Sequence, residues 1–199
     1  MSEDRRGLLL ADKPKGITSF AVVAELRRRL GARRVGHGGT LDPLATGLLP
    51  ILIGEGTKLT PYVMGLDKMY QAVVRLGTAT DTYDSEGRVL FEADPSRVTE
   101  QEVETALRRF VGHIRQRPPA FSAIKRAGTP LYQLARAAAP GEVEAPEREI
   151  VVHALDLVAF EPPDLTLVIR CGKGTYVRSI AHDLGEALGV HGQIGRAHV

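Results

Sequence analysis

The chain has 199 residues, of which 43% are apolar, 25% charged and 5% aromatic, and its formal net charge is +2. This is the composition of an ordinary soluble domain, and it excludes an intrinsically disordered chain. Cys171 is the only cysteine, which excludes an internal disulfide and a cysteine-rich zinc module and agrees with a reducing cytoplasm. The longest apolar runs, such as residues 8–11, are far too short to span a membrane.

The small net charge is the sum of opposed blocks along the chain. Basic residues exceed acidic ones by nine to five in residues 1–50 and by seven to none in residues 105–136. Acidic residues exceed basic ones by eight to two in residues 81–104 and by seven to one in residues 137–164. Two basic blocks on one face would offer a binding surface to a polyanion such as nucleic acid. The alternative is that the blocks are ordinary solvent-exposed faces, with basic and acidic blocks attracting each other. This alternative explains the charge pattern equally well.

The first half of the chain predicts a strand, a helix and an irregular stretch. Residues 8–11 are apolar and predict a short buried strand, and Thr18 or Ser19 caps a helix that Gly31 ends. Residues 34–56 hold six glycines and two prolines, which predicts irregular structure. Residues 68–76 alternate as a strand does, and residues 87–91 predict the strand that returns along it.

The second half predicts three helices and two strands. A capping box of Thr99 and Glu102 begins the first of these helices, which closes at Gly112. The other elements follow in chain order: a helix over about 129–138, an exposed insertion over 139–148, strands over 150–160 and 165–171, and a helix over 177–188. Strands outnumber helices and come in pairs, which favours one α+β domain with a mixed or largely antiparallel sheet.

Residues 35–47, Val-Gly-His-Gly-Gly-Thr-Leu-Asp-Pro-Leu-Ala-Thr-Gly, form the first candidate site. Its glycines allow another molecule to approach the backbone closely, and Pro43 restricts Asp42 to extended conformations. An isolated Asp-Pro pair would more often only organise a turn, but here His37 and two threonines accompany the carboxylate. A metal-dependent hydrolase that uses His37 and Asp42 is a weaker alternative, because no further ligands cluster with them in the sequence.

Two other segments are candidate sites. In residues 171–179 a strand gives way to a glycine-containing turn and a helix, which points backbone amides and early helical side chains at a ligand. Arg178 falls in the first helical turn, where the helix dipole disfavours a cation, so we expect a carboxylate or phosphate partner rather than a surface arginine. In residues 116–126, Pro118-Pro119 forces an extended run among basic residues. Such a run suits a nucleic-acid backbone, and the alternative is an edge strand or a rigid loop.

Together with Lys-Pro-Lys-Gly-Ile-Thr-Ser at residues 13–19, these segments resemble the bacterial tRNA pseudouridine synthase B family, the synthases of pseudouridine 55 in the T loop of tRNA. The resemblance covers about residues 7–189, and Gly-Gly-Thr-Leu-Asp-Pro-Leu-Ala-Thr-Gly at 38–47 is its most specific motif. It implies the pseudouridine synthase fold with an active-site cleft across a mixed sheet, base flipping, and no cofactor or metal. It also implies tRNA as the partner, with no membrane and no protein partner, so we expect a cytoplasmic monomer.

The resemblance further implies roles for six residues. Asp42 matches the catalytic aspartate, and Arg178 matches the arginine that pairs with it and keeps it ionised. The other matched positions bind the nucleotide or the RNA: Tyr70, which stacks on the target base, His37, which helps to hold the flipped nucleotide, and Tyr176 and Lys13. The reaction route stays open, because Asp42 could attack the sugar, attack the base or abstract a sugar proton.

The resemblance predicts a catalytic domain over residues 7–193, with an RNA-gripping insertion over about 122–148. After Gly189 the family continues with a leucine- and arginine-rich stretch and a small RNA-binding PUA domain, and this sequence has neither. Residues 194–199, Ile-Gly-Arg-Ala-His-Val, match the translation of a common sequencing-adapter DNA, so we expect a non-native tail on an incomplete domain. The alternative function is therefore a module that binds tRNA and helps it fold, with little catalysis.

Overall fold

The computed structural model describes residues 5–139 and 141–199. Pro140, inside the predicted insertion, lies outside the described residues. The described residues divide into two compact units, of which the first holds residues 5–68 and 197–199 and the second holds residues 69–139 and 141–196. Within the described ranges, no helix is long and apolar enough to cross a membrane.

The first unit contains a three-stranded sheet with the order β1-β3-β2, in which both neighbouring pairs are antiparallel. The strands are β1 (Gly7–Lys13), β2 (Val35–His37) and β3 (Gly47–Ile53). Helix α1 (Ser19–Leu30) lies between β1 and β2 in the chain, and a 3-10 helix (Gly54–Leu59) and α2 (Thr60–Gly65) follow β3. The strand predicted near residues 8–11 is confirmed.

Helix α1 begins and ends where the sequence predicts. The Thr18 hydroxyl oxygen accepts a hydrogen bond from the Ala21 backbone N–H at 3.0 Å, which satisfies one of the free donors at the helix start. Gly31 ends the helix with a φ of 61°, a left-handed conformation that glycine adopts without a steric penalty.

The prediction that residues 34–56 are irregular is wrong for β3, which is the central strand of the first sheet. Pro50 concealed the strand, because proline seldom lies inside a central strand. The ladder between β2 and β3 ends at the pair His37–Ile51, and Pro50 is the next residue of β3. The missing N–H of Pro50 therefore removes no hydrogen bond from that ladder. Its carbonyl accepts a hydrogen bond from the Gly38 N–H at 2.8 Å.

The second unit is built on a five-stranded sheet with the order β12-β4-β11-β10-β7. Its strands are β4 (Lys68–Leu76), β7 (Gly112–Gln116), β10 (Arg148–Glu161), β11 (Asp164–Cys171) and β12 (Gly192–His198). Two small antiparallel sheets pair β5 (Thr78–Thr80) with β6 (Val89–Glu92) and β8 (Lys125–Arg126) with β9 (Thr129–Pro130). The helices are α3 (Glu100–Leu107), α4 (Leu131–Ala137) and α5 (Val177–Ala187).

These elements confirm the predicted α+β class and most of the predicted segments. Strand 68–76, the capping box of Thr99 and Glu102, the helix that follows it, strands β10 and β11 and the last helix are all present. The prediction that residues 87–91 return along β4 is wrong, because β6 pairs with β5. Gly77, with a φ of 89°, separates β5 from β4 and lets the chain change direction.

The core of the second unit lies between its sheet and two helices. Alternate residues of β11 are buried, and α3 packs against both α5 and β10. The side chains that form this core include Leu165, Leu167 and Ile169 from β11, Val103 and Leu107 from α3, and Ile180 and Leu184 from α5. Period-two burial in the strand and helical-period burial on α3 and α5 are the patterns from which the elements were predicted.

Residues 194–198 lie in β12, at the edge of the five-stranded sheet. The ladder bonds of a sheet are made by backbone groups, which every sequence except proline supplies. The expectation that residues 194–199 are non-native therefore stays a prediction.

Truncation of the β11 core is expected to destabilise the second unit. Leu167 is fully buried, so Leu167→Ala should lower the free energy of unfolding by about 2–5 kcal/mol through lost burial and a cavity. Val158→Ala is the matched control on β10, because Val158 is 58% exposed, and we expect a change within about 0.5 kcal/mol. Urea denaturation followed by circular dichroism measures both, and equal losses would contradict the assigned core.

Candidate active site

Asp42 lies on a loop in which both of its neighbours in the chain, Leu41 and Pro43, are held by hydrogen bonds. On one side, the Ser19 hydroxyl accepts a bond from the Leu41 N–H at 2.9 Å and donates one to the Leu41 carbonyl at 3.2 Å. On the other side, the Pro43 carbonyl accepts a bond from the Gly16 N–H at 2.7 Å. The Asp42 carbonyl itself accepts the Ala45 N–H at 3.1 Å, which closes a turn. The backbone that carries the carboxylate is therefore tied to the start of α1.

Lys13 supports the same loop from inside the first unit. Its side chain is 0% exposed, and its ammonium donates to the carbonyls of Pro14, Ile17 and Pro43 at 3.0, 2.8 and 3.3 Å. A buried ammonium is stable only when its donors find acceptors, so these bonds tie the turn after β1 to the residue that follows Asp42. The burial of Lys13 favours a supporting role over direct contact with RNA.

His37 ends β2, a few residues before Asp42. Burial lowers the pKa of His37, against a hydrogen bond with the Gly39 backbone that raises it, so the imidazole is uncharged at neutral pH. Its Nδ1 atom is buried and has no hydrogen-bond partner among the described residues. The following residue must be glycine, because a Cβ at Gly38 would overlap the side chain of Val63.

Arg178 lies in the first turn of α5 and is 5% exposed. Its Nη1 atom lies 3.3 Å from Asp84 Oδ2 and donates to the Thr82 carbonyl at 2.8 Å, and its Nη2 atom donates to the Phe121 carbonyl at 3.0 Å. The expectation of a carboxylate partner is thus confirmed with Asp84, and the alternative of a surface arginine is wrong. A buried guanidinium needs several such acceptors, because each unsatisfied donor costs free energy.

The loop that carries Asp84 is itself closely hydrogen-bonded. Asp84 Oδ1 accepts bonds from the Thr82 hydroxyl at 2.6 Å and from the Glu86 N–H at 3.1 Å. The Thr80 hydroxyl donates to the Asp84 carbonyl at 2.7 Å, and the Ser85 N–H donates to the Ile194 carbonyl at 2.9 Å. These hydrogen bonds restrain the carboxylate that contacts Arg178.

Residues 116–122 are held against the start of α5. The Gln116 side chain bonds both backbone groups of Tyr176: it accepts from the Tyr176 N–H at 2.8 Å and donates to the Tyr176 carbonyl at 3.0 Å. The Ser179 hydroxyl donates to the Arg117 carbonyl at 2.7 Å. Pro118 and Pro119 are buried, which favours the rigid-loop interpretation of this part of the segment. Tyr176 and Arg178 are therefore brought together by one hydrogen-bonded framework.

The exposed basic side chains of residues 116–126 that have no described carboxylate partner lie in the later part of the segment. Lys125 and Arg126 form the short strand β8, and both are exposed. Arg117 is instead paired with Glu144 at 2.8 Å and with Glu147 at 3.2 Å. These pairs join the end of β7 to the insertion over 122–148. Tyr70, in β4, is half-buried.

Asp183, on the same helix as Arg178, has an unusual carboxyl group. Burial and the neighbouring Glu186 raise the pKa of Asp183 to about 6, and Arg117 opposes this rise only in part. Next to it, burial lowers the pKa of His182. Between pH 3.8 and about 6 the folded chain therefore holds a proton that the unfolded chain has released.

Asp84 and Gln116 contact candidate site residues and were not predicted from the sequence. Asp84 lies in the acidic block over residues 81–104, where charge alone does not distinguish it from seven other acids. In the sequence, Gln116 stands out only as the first residue of the basic segment 116–126. Within the described part of the chain, no group of three or more His, Cys, Asp or Glu side chains could hold a metal ion.

Removal of the Ser19 hydroxyl tests how the Asp42 loop is held. Ser19→Ala leaves the buried N–H and carbonyl of Leu41 without their partner, so we expect a loss of about 1–3 kcal/mol in unfolding free energy. Hydrogen exchange at the Leu41 amide should become faster. Thr105→Ala, which removes an exposed hydroxyl from α3, is the control and should change stability by no more than about 0.5 kcal/mol.

The raised pKa of Asp183 predicts a stability that falls as pH rises from about 4 to about 6, since folding takes up a proton in this range. Asp183→Asn removes the ionisable group, so the variant should be stabilised relative to the original chain at pH 7.5 and much less at pH 5. Thermal denaturation at the two pH values measures this difference. An equal effect of the substitution at both pH values would contradict it.

Comparison with known proteins identifies the chain's relatives. The sequence profile of the TruB family pseudouridylate synthase (N terminal domain) matches residues 27–177. Proteins named tRNA pseudouridine synthase B from Syntrophotalea carbinolica and Pseudomonas aeruginosa are 47% and 48% identical to it over 183 residues, which are 92% of this chain and 59% of each relative. One from Opitutus terrae is 49% identical over 92% of this chain and 75% of its own length.

Solved structures show the same fold. A Cbf5-Nop10-Gar1 complex contains a chain that is 29% identical, with a TM-score of 0.73 over 96% of this chain and 47% of its own. An H/ACA RNP bound to a substrate RNA containing 2'-deoxyuridine contains one that is 26% identical, with a TM-score of 0.69 over 96% of this chain and 46% of its own. These similarities confirm the pseudouridine synthase fold implied by the sequence.

The chain spans about three fifths of the length of most of these curated relatives. The family match runs from the end of α1 to the start of α5, so it includes Asp42 and Asp84 and ends one residue before Arg178. The resemblance found in the sequence is thus confirmed, and the chain belongs to the TruB family of pseudouridylate synthases.

Proposed function

We propose that this chain isomerises uridine to pseudouridine in tRNA, with uridine 55 of the T loop as its target and Asp42 as the catalytic carboxylate. One observation carries the proposal: in a chain of this family, both neighbours of Asp42 are held by hydrogen bonds, from the buried side chains of Ser19 and Lys13 and from the Gly16 N–H. A carboxylate on such a loop keeps one position while another molecule approaches.

The chemistry suits a carboxylate that works without a redox cofactor. Isomerisation breaks a carbon–nitrogen glycosidic bond, turns the base and forms a carbon–carbon bond, with no net oxidation or reduction. Asp42 could attack the sugar, attack the base or abstract a sugar proton. Each route requires a carboxylate held at a fixed place beside the nucleoside, and Ser19 and Lys13 supply that restraint by holding the backbone of the loop.

The target base must leave the stack of the T loop, which costs a few kcal/mol. We assign Tyr70 to the stacking of the flipped base, because stacking on an aromatic ring is worth about 1–3 kcal/mol and recovers part of that cost. We assign His37 to the same nucleotide, since an uncharged imidazole with an unpartnered Nδ1 atom is able to bond to it.

The remaining assignments concern the RNA and the framework of the second unit. Tyr176 and Arg178 begin α5 and are oriented by Gln116 and Asp84, so we assign them to substrate binding in fixed positions. The exposed Lys125 and Arg126 are assigned to phosphate contacts, which position a folded RNA by its shape. Lys13 is assigned to the support of the Asp42 loop.

Asp42→Asn tests the proposal directly. The amide has nearly the shape of the carboxylate but is neither an adequate nucleophile nor a base, so we expect pseudouridine formation to be abolished. Binding of tRNA should stay within a few-fold, because no phosphate-directed cation is removed. The readouts are mass mapping of the T-loop fragment after incubation with unmodified tRNA, and a binding titration.

Asp156→Asn, which removes an exposed carboxylate from β10, is the matched control and should retain full activity. Turnover by Asp42→Asn would overturn the assignment of Asp42. If the original chain binds tRNA but leaves uridine 55 unchanged, a tRNA-binding or folding module replaces the enzymatic function. Modification of a uridine elsewhere would overturn only the T-loop target.

A further inference from the structure

The loop between β5 and β6 meets α5 at two neighbouring points. The ring of Tyr83 stacks on the ring of His182, with centroids 3.9 Å apart and planes within 4° of parallel. The next residue of the loop, Asp84, lies against Arg178 at 3.3 Å. His182 follows Arg178 by four residues, which is about one helical turn. Two consecutive loop residues therefore contact two consecutive turns of one helix.

The backbone of Tyr83 adopts a conformation that its residue type disfavours. Its φ is 62°, in the left-handed region that residues with a Cβ seldom occupy. In this conformation its N–H donates to the Thr80 carbonyl at 3.2 Å, and its carbonyl accepts the Ile194 N–H at 3.1 Å. The direction in which the chain leaves Tyr83 determines where the side chain of Asp84 points. Contacts with the rest of the structure must therefore hold Tyr83 in this conformation.

The surroundings of His182 indicate a ring contact. Its Nδ1 atom is buried and has no hydrogen-bond partner among the described residues. Burial also lowers the pKa of His182, so the imidazole is uncharged at neutral pH and packs as a flat, weakly polar ring. The nearly parallel geometry with Tyr83 is the contact that such a ring makes well.

We propose that Tyr83 and His182 are positioning residues, whose stacked rings hold Asp84 against Arg178 and thereby fix the Arg178 guanidinium for substrate. The inference rests on the proposed synthase function for its kinetic test. The pair acts through Asp84, whose carboxylate joins the loop to the Arg178 guanidinium.

Substitutions at Tyr83 distinguish the contribution of its aromatic ring from that of its apolar bulk. Tyr83→Leu keeps apolar bulk but removes the stack, and we expect kcat to fall about tenfold while KM for tRNA stays within about twofold. Tyr83→Phe retains the ring and should rescue kcat to within about twofold of the original chain. His182→Phe and His182→Leu should repeat this difference from the other side of the stack.

Phe91→Leu is the matched control. Phe91 also stacks on a histidine, His191, with centroids 5.3 Å apart, but this pair contacts neither Asp84 nor Arg178 in any described interaction. We expect its kcat to be unchanged. An equal loss in Phe91→Leu and Tyr83→Leu would show a general effect of aromatic packing and would overturn the proposal.

Two further variants test the route through Asp84. Tyr83→Gly removes the ring but adopts the positive φ easily, so it should lose activity as Tyr83→Leu does if the stack matters. In an Asp84→Asn background, Tyr83→Leu should cause little additional loss, because both substitutions interrupt one path. Full activity of Tyr83→Gly, or losses that multiply in the double variant, would overturn the proposal.

Hydrogen exchange tests the positioning without any turnover. The Glu86 N–H donates to Asp84 Oδ1, so its exchange rate reports on the place of that carboxylate. Tyr83→Leu should speed exchange at Glu86 and leave the Arg88 amide, which donates to Asp81 Oδ1 at 2.9 Å, unchanged. If the original chain makes no pseudouridine, the proposed function fails while Glu86 exchange still decides the positioning. Unchanged exchange at Glu86 would overturn it.

Discussion

A buried guanidinium must have acceptors for its N–H groups, and in the second unit this requirement at Arg178 organises three separate parts of the chain. The loop between β5 and β6 supplies the Asp84 carboxylate and the Thr82 carbonyl, and residues 117–122 supply the Phe121 carbonyl. Because desolvated charge without partners costs far more than any single packing contact contributes, these segments cannot relax independently of α5. Tyr176 lies two residues before Arg178, and the Gln116 side chain holds its backbone in place by two hydrogen bonds.

The first unit uses a buried cation in a comparable way. The ammonium of Lys13 is surrounded by backbone carbonyls, and one of them belongs to the residue after Asp42. Ser19 holds the residue before Asp42 through both of its backbone groups. In each unit, then, a charged side chain with an assigned function lies next to backbone that buried polar groups restrain. Preorganisation of this kind is what catalysis by a single carboxylate requires, since reorganisation at the moment of reaction would raise the barrier.

Sequence patterns predicted most of the elements, and the errors have identifiable causes. Strand β3 was missed because Pro50 and the surrounding glycines look like loop residues, although the proline lies where no ladder bond is lost. Strand β6 was placed beside β4 because adjacent strands in a sequence usually pair, whereas Gly77 redirects the chain and β5 intervenes. Asp84 could not be selected among the acids of its block, since its importance comes from a partner 94 residues away.

The sequence by itself determined the α+β class, the limits of α1 and α5, the start of α3, the family and Asp42 as the candidate carboxylate, because caps, periodicity and a dense motif are local features of the chain. It also favoured an anionic partner for Arg178 over a surface position, since a cation in a first helical turn opposes the helix dipole. Only the tertiary structure decided that this partner includes Asp84, that Lys13 is buried beneath its loop and that Tyr83 stacks on His182. Such contacts join residues that are far apart in the chain. Burial strengthens them, and burial is determined only by the folded structure.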